Sequence, residues 1–157
     1  MQHGFFEGGH FHPKETMLHI PWLYTYAGRP DLAADRVRQC RERYFRPARN
    51  GLSDNEDMGC QSAFYMCSAM GLCPVMGQAL YLLTPPVFSR AEITLGQSGH
   101  TLTIEAPGAG PGGRFVAGAV LNGVPLDRAW LRHDEVAAGA TLRLELDAQP
   151  SDWGRSL

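Results

Sequence analysis

Three carboxylates fall within four residues, at Asp54, Glu56 and Asp57, in the stretch Gly51-Leu52-Ser53-Asp54-Asn55-Glu56-Asp57-Met58-Gly59 that precedes an apolar run. Such side chains have two uses at the start of a helix. Their oxygens accept hydrogen bonds from the free backbone N–H groups of the first turn, where negative charge is also favoured by the helix dipole. A carboxylate left free of that duty can take a proton or hold a cation. Composition leaves the solvated capping loop and the chemical site both open. One calcium geometry is excluded: with Asp54 in first place, an EF-hand loop would need ligands from Met58 and Tyr65, and neither supplies the required one.

A second polar patch, Glu7-Gly8-Gly9-His10-Phe11-His12-Pro13-Lys14-Glu15, leads to His19. The pair His10 and His12 with a more distant His19 lacks the Cys or carboxylate spacing of a zinc site, so exposed loop histidines account for it better. Glu15 and His19 stand one helical turn apart and can face one cleft. Trp22, Tyr24 and Tyr26 follow this patch, and Phe64 and Tyr65 follow the acidic run. Rings so placed stack on sugars, or at helical spacing fill a core.

The elements that must carry these residues change type near Pro74. In DLAADRVRQCRERYF, Ala33, Val37, Cys40 and Tyr44 recur at i, i+4, i+7 and i+11, a helical stripe opened by Pro30-Asp31 and closed before Pro47. HIPWLYTYAG reads as a shorter helix starting near Pro21 and stopped at Gly28. MGCQSAFYMCSAMG is apolar on nearly every side and ends at Gly71, which predicts a helix buried among others. Beyond Pro74, LYLLT, AEITLG, TLTIEA, RFVAGAVLNG and TLRLELD read as strands, with Asn122-Gly123 as a hairpin turn. The stretch 107–113, PGAGPGG, reads as a flexible exposed loop. Three helices of this kind cannot bury one another fully, which predicts further helices upstream.

Hydrophobic residues make up 44% of the 157 residues and charged ones 19%, enough apolar surface for a core and too little charge for disorder. A formal charge of −2 argues against nucleic-acid binding, which needs an excess of Lys and Arg. No apolar run is long enough to insert across a membrane. Residues 1–9 lack the basic and apolar regions of a signal peptide, so an exported parent would carry its signal upstream. Cys60 and Cys67, seven apart, would sit roughly 10 Å from each other on one helix face, too far to bridge. With Cys40 and Cys73 they read as free core thiols.

Three stretches together resemble glycoside hydrolase family 92, the calcium-dependent exo-α-mannosidases. His19-Ile20-Pro21-Trp22-Leu23-Tyr24-Thr25-Tyr26-Ala27-Gly28-Arg29-Pro30 is similar to that family's H-x-P-Y-L-Y-N-Y-x-G-x-P. Residues 51–59, then Ser62-Ala63-Phe64-Tyr65 and Met70-Gly71-Leu72-Cys73-Pro74-Val75, resemble G-L-x-G-N-D-D-x-G-x-x-S-A-W-Y and G-x-Y-P-V. The strand segments 82–88, 120–126 and 130–136 fit in the same order.

The resemblance implies an α+β chain: the last helices of an (α/α)6 barrel in residues 1–75, then an antiparallel β-rich region in residues 76–157. It implies inverting release of terminal α-mannose from mannose-containing glycans. Asp57 falls at the general base, with Asn55 and Glu56 beside it in the catalytic loop. Glu15 matches the Glu of a G-N-E-P stretch in the sugar and calcium site, so Glu15 and His19 are the expected substrate-binding residues and Glu15 and Asp57 the expected calcium ligands. The general acid belongs to missing upstream barrel helices, since Glu7 does not stand in its motif, and the parent enzyme is expected to be bacterial, periplasmic or secreted. The chain departs from the motifs at Pro13-Lys14-Glu15-Thr16 for G-N-E-P, at Asp54 for Gly, and at Cys60-Gln61 for Gln-Met. A non-catalytic β-sandwich that binds carbohydrate or serves structure, and a hydrolase of another glycoside, are the alternatives.

Overall fold

The computed structural model describes residues 15–53 and 55–156. Residues Ile20–Trp22 form a 3-10 turn that runs into the short helix α1, Leu23–Tyr26. Pro21 stands in its first turn, where a missing N–H is harmless, and Gly28 leaves the segment at φ 68°. Helix α2, Pro30–Tyr44, buries Ala33, Val37, Cys40 and Tyr44, the stripe expected from their spacing. Arg29 donates to Asp31 at its first turn through two hydrogen bonds of 2.9 and 2.7 Å, and this pairing holds the Asp31 carboxyl below its usual range.

That pair has a pH signature. A carboxyl whose folded-state pKa is depressed contributes stability that is present above its unfolded value and is lost as pH falls through the folded one. Urea unfolding over a pH series is expected to show the wild type losing stability below about pH 4 more steeply than Asp31→Asn. Parallel curves would mean that the pair does not form in solution.

Helix α3 spans Cys60–Met70. It is buried on one side, through Gln61, Phe64, Ser68 and Ala69, while Met66 is 57% exposed. The reason is packing: α3 lies against α2 and the strand that follows it, and these cover one face. Arg41 of α2 donates to the Ser68 carbonyl oxygen at 2.9 Å, placing a cation among the last carbonyls of α3, where the dipole favours it.

The strands are β1 (Leu72–Pro74), β2 (Leu80–Leu83), β3 (Arg90–Thr94), β4 (Thr101–Glu105), β5 (Phe115–Leu121), β6 (Val124–Leu126), β7 (Trp130–Arg132) and β8 (Ala140–Asp147). They form a three-stranded sheet ordered β1-β2-β7 and a five-stranded sheet ordered β3-β4-β8-β5-β6. The chain is thus α+β. All pairings are antiparallel except β4 with β8, which run parallel. The region is thus antiparallel and β-rich, as expected, with one parallel pair that arises because the chain passes through β5, β6 and β7 before β8 returns beside β4 in the same direction.

Period-two alternation makes the smaller sheet the middle layer. Leu72, Leu83 and Leu131 join Leu102, Ile104, Val116, Leu142 and Leu144 of the larger sheet in one core. Their neighbours Cys73, Leu82 and Trp130 point the other way, onto Trp22, Val37, Cys40, Tyr44 and Phe64 of the helical layer. Leu82 stands directly opposite both Cys73 and Trp130 in the register, so that face is continuous. Strand pairing of β1 with β2 therefore spans the point near Pro74 where the sequence changes character.

None of the four cysteines is in a disulfide. Burial pushes the Cys40 and Cys73 thiols up to about 12, consistent with inert core positions. Asn122 and Gly123 take φ 50° and 83°, the two left-handed residues of a tight hairpin between β5 and β6. The stretch 107–113 is largely exposed, as expected, and backbone hydrogen bonds shape it. Ala109 N–H donates to Ala106 and Gly113 N–H to Gly110, folding it into two turns, and a Cβ on Gly113 would lie 2.2 Å from the Gly108 carbonyl oxygen. Glycine is needed there for close backbone approach rather than for mobility. Among the described residues no helix is long and apolar enough to cross a membrane.

Candidate active site

Asn55, Glu56 and Asp57 lie together in one turn at the N-terminus of α3, as their sequence proximity requires, but their side chains are used differently. Glu56 turns back on the helix: its Oε1 accepts from the Ser62 backbone N–H at 3.0 Å, and Oε2 lies 3.3 Å from the same donor. Its own carbonyl accepts from the Gly59 N–H at 3.0 Å. Glu56 is thus the helix cap. Glu56→Ala is expected to lower stability by about 1 kcal/mol in urea unfolding, with Glu56→Gln retaining most of it because an amide oxygen also accepts. Equal losses in the two variants would count against the cap.

Asp57 begins a 3-10 turn, Asp57–Gly59, that leads into Cys60, whose N–H bonds the Asp57 carbonyl. Its side chain is exposed and has no hydrogen bond or ion pair to a described residue. The next two residues are both left-handed, Met58 at φ 54° and Gly59 at φ 76°. A left-handed residue other than glycine costs of order 1 kcal/mol and persists only where the surroundings hold it, a pattern that concentrates at functional sites. Met58 has no packing of its own to repay this, being fully exposed.

Beneath the turn lies Gln61, 0% exposed, whose Nε2 donates to the Asn55 carbonyl oxygen at 2.6 Å. The sequence marks this residue only as a departure from the family motif. Its buried position is visible only in three dimensions.

Glu15 starts a 3-10 turn, Glu15–Met17, and its side chain lies outside the described residues, as do Glu7, His10, His12, Lys14 and Asp54. His19 is exposed and precedes the Ile20–Trp22 turn, its carbonyl accepting from the Trp22 N–H at 3.0 Å. Leu18 beside it packs on the cluster that contains Phe64 of α3, so the two candidate segments share one helical core. Among the described residues no hydrogen bond joins His19 to the acidic turn.

Trp22, Tyr24 and Tyr26 split by exposure. Trp22 is 2% exposed and belongs to the core, whereas Tyr26 is 45% exposed and borders a cavity of about 680 Å³ with Trp130, Arg132, His133 and Asp134. His133 of that lining meets Tyr81 at 2.7 Å between Nδ1 and Oη. Fifty-two residues separate that pair in the chain, so no local pattern announces it.

Oxygen donors suited to a hard cation are present in the acidic turn, but the Glu56 carboxylate is occupied by Ser62. Among the described residues no group of three His, Cys, Asp or Glu side chains gathers in metal-binding range. The described turn fits a cation in chemical type and offers Asp57 as its free carboxylate.

The glycosyl hydrolase family 92 catalytic domain matches residues 2–148. The chain belongs to that family. It is 33% identical over 143 residues to an uncharacterized secreted glycosidase of Arthroderma benhamiae, covering 90% of this chain and 19% of that protein. Its fold superposes on a family 92 α-mannosidase from Bacteroides thetaiotaomicron in complex with mannoimidazole, with a TM-score of 0.86 and 25% identity over 92% of this chain and 19% of the other. A family 92 inverting mannosidase from Bacteroides thetaiotaomicron gives a TM-score of 0.85 and 29% identity over 96% of this chain and 20% of that one. The chain spans about a fifth of the length of these family 92 relatives.

Proposed function

We propose that this chain is the C-terminal part of an inverting exo-α-mannosidase and that Asp57 is its general base. The observation that carries the reading is the division of labour in the acidic turn: Glu56 caps α3, and Asp57 stands exposed, with no hydrogen bond or ion pair to a described residue, beside a left-handed Met58. A base has to keep an oxygen lone pair free for water, and no described residue occupies those of Asp57.

In this reading Asp57 accepts a proton from a water molecule as that water's oxygen bonds the anomeric carbon. The bond to the leaving oxygen breaks on the opposite face, and that oxygen takes a proton from an acid. Inversion requires the two carboxyls to stand far enough apart to admit the water, roughly 6.5–9.5 Å. The acid belongs to barrel helices upstream, so the chain by itself binds water at one face of a reaction it cannot complete. Glu15 and His19 would hold sugar hydroxyls. Glu15 and Asp57 would hold calcium, which when bound would orient adjacent sugar hydroxyls. Residues 1–75 would close the (α/α)6 barrel, with 76–157 as the associated β-region, and the secreted relative supports export of the parent.

The alternative of an autonomous β-module finds less support. Cut free of the helices, the middle sheet would expose Leu82 and Trp130 to water.

The test is hydrolysis of an aryl α-mannoside by the intact catalytic domain, followed by NMR of the first-formed sugar. Release of the β-anomer, loss of activity with a calcium chelator and recovery on adding calcium are expected. First-formed α-anomer would overturn inversion, and activity indifferent to the chelator would remove calcium.

A further inference from the structure

Gln61 stands in the first turn of α3 with none of its surface in contact with solvent. Among the described residues its amide makes one hydrogen bond, from Nε2 to the Asn55 carbonyl oxygen, and its buried Oε1 has no protein partner. A buried amide half of whose polar atoms are unsatisfied is a poor choice for core stability, and an unbranched apolar side chain such as Met would avoid the orphaned acceptor. The motif that this stretch resembles has Met at this position. The amide is therefore kept for the bond it does make.

That bond closes the turn from its N-terminal side. From the C-terminal side the turn is held by the Gly59 N–H on the Glu56 carbonyl, by the Cys60 N–H on the Asp57 carbonyl and by the Glu56 cap. Asp57 lies between these two anchorages, and its side chain has no hydrogen bond to a described residue. Backbone placement alone sets where its carboxylate points.

We propose that Gln61 is a positioning residue, whose buried amide fixes the Asn55 end of the turn and thereby the aim of the Asp57 carboxylate at water. The proposal rests on the reading of Asp57 as the general base. Because the bond comes from a residue at which this chain departs from the motif, it is a device of this chain rather than of the motif.

The test is Gln61→Met in the intact catalytic domain, with Gln61→Leu as a second apolar replacement. Expected is a fall in kcat of about 10- to 100-fold with KM changed by less than about twofold, the size of effect that misplacing a reacting group produces. The melting temperature should stay level or rise, since the orphaned acceptor is gone. Amide hydrogen exchange should quicken at Asn55–Gly59 while the later turns of α3 keep their protection. A purely structural glutamine would give the opposite pattern: a lower melting temperature and faster exchange along all of α3. That result, or wild-type kcat with unchanged exchange, overturns the proposal. If instead Asp57→Asn keeps full activity, the base assignment fails, while the exchange result still reports whether Gln61 holds the turn.

Discussion

Asp57→Asn in the intact catalytic domain is expected to lower kcat by about 10²- to 10⁴-fold, the usual contribution of a positioned base, with melting temperature close to wild type. Both parts follow from the geometry. The carboxylate is exposed and makes no hydrogen bond or ion pair with a described residue, so replacing it by an isosteric amide removes nothing that supports the fold. An amide oxygen, however, cannot take a proton from water near neutral pH. The acid limb of the kcat/KM profile, which reports the base in the free enzyme, should disappear in the variant, while the limb due to the acid stays. Glu56→Gln separates position from chemistry, because it alters the neighbouring carboxylate and retains the cap. Asp57→Asn with wild-type kcat would place the base elsewhere and reduce the acidic turn to a helix cap.

The residues explain which parts of this fold and site are legible beforehand. Ala33, Val37, Cys40 and Tyr44 announce α2 because a half-buried helix imposes its period on the sequence. Thr101–Glu105 and Ala140–Asp147 announce β4 and β8 by alternation, since each carries one dry and one wet face. The middle sheet does not announce its sidedness: Leu80-Tyr81-Leu82-Leu83 is apolar towards both the helices and the larger sheet, so alternation is erased. Strands as short as β1 and β7 exist through pairing with β2 rather than through any pattern of their own. The parallel alignment of β4 with β8 depends on the whole intervening path and has no local signature. At the site, the sequence isolates the acidic turn but cannot rank carboxylates of one type. Their separation into cap and free acid comes from a backbone reversal at Met58, a residue with no turn signature at all. Gln61 is hidden for a similar reason, because a polar residue on an apolar helix reads as the exposed one until its burial is known.

The largest expected loss of stability comes from a single methyl group at the other end of α3. Gly71→Ala should cost about 3–5 kcal/mol in urea unfolding. Gly71 ends the helix at φ 80°, its N–H directed to the Cys67 and Ser68 carbonyls, and a side chain in that conformation alone costs roughly 1–2 kcal/mol. The new Cβ would also lie 2.6 Å from the Thr84 carbonyl oxygen and 3.1 Å from Pro86. That oxygen cannot easily retreat. The Thr84 N–H donates to the Gly71 carbonyl at 3.0 Å and the Val87 N–H to Ala69 at 2.9 Å, so the opposing backbone is tied to the very turn that would push it away. Gly77→Ala supplies the control, since Gly77 has nearly the same φ, 77°, with nothing within 4 Å of its Cβ position. It should lose only the conformational part, and the difference between the two variants then measures the collision. The two variants should therefore also differ in melting temperature in a thermal scan. Equal losses would show that the joint between α3 and the middle sheet yields in solution. In that event the far end of the helix that presents Asp57 is not clamped, and the aim of the carboxylate would depend on the turn at residues 55–59 alone.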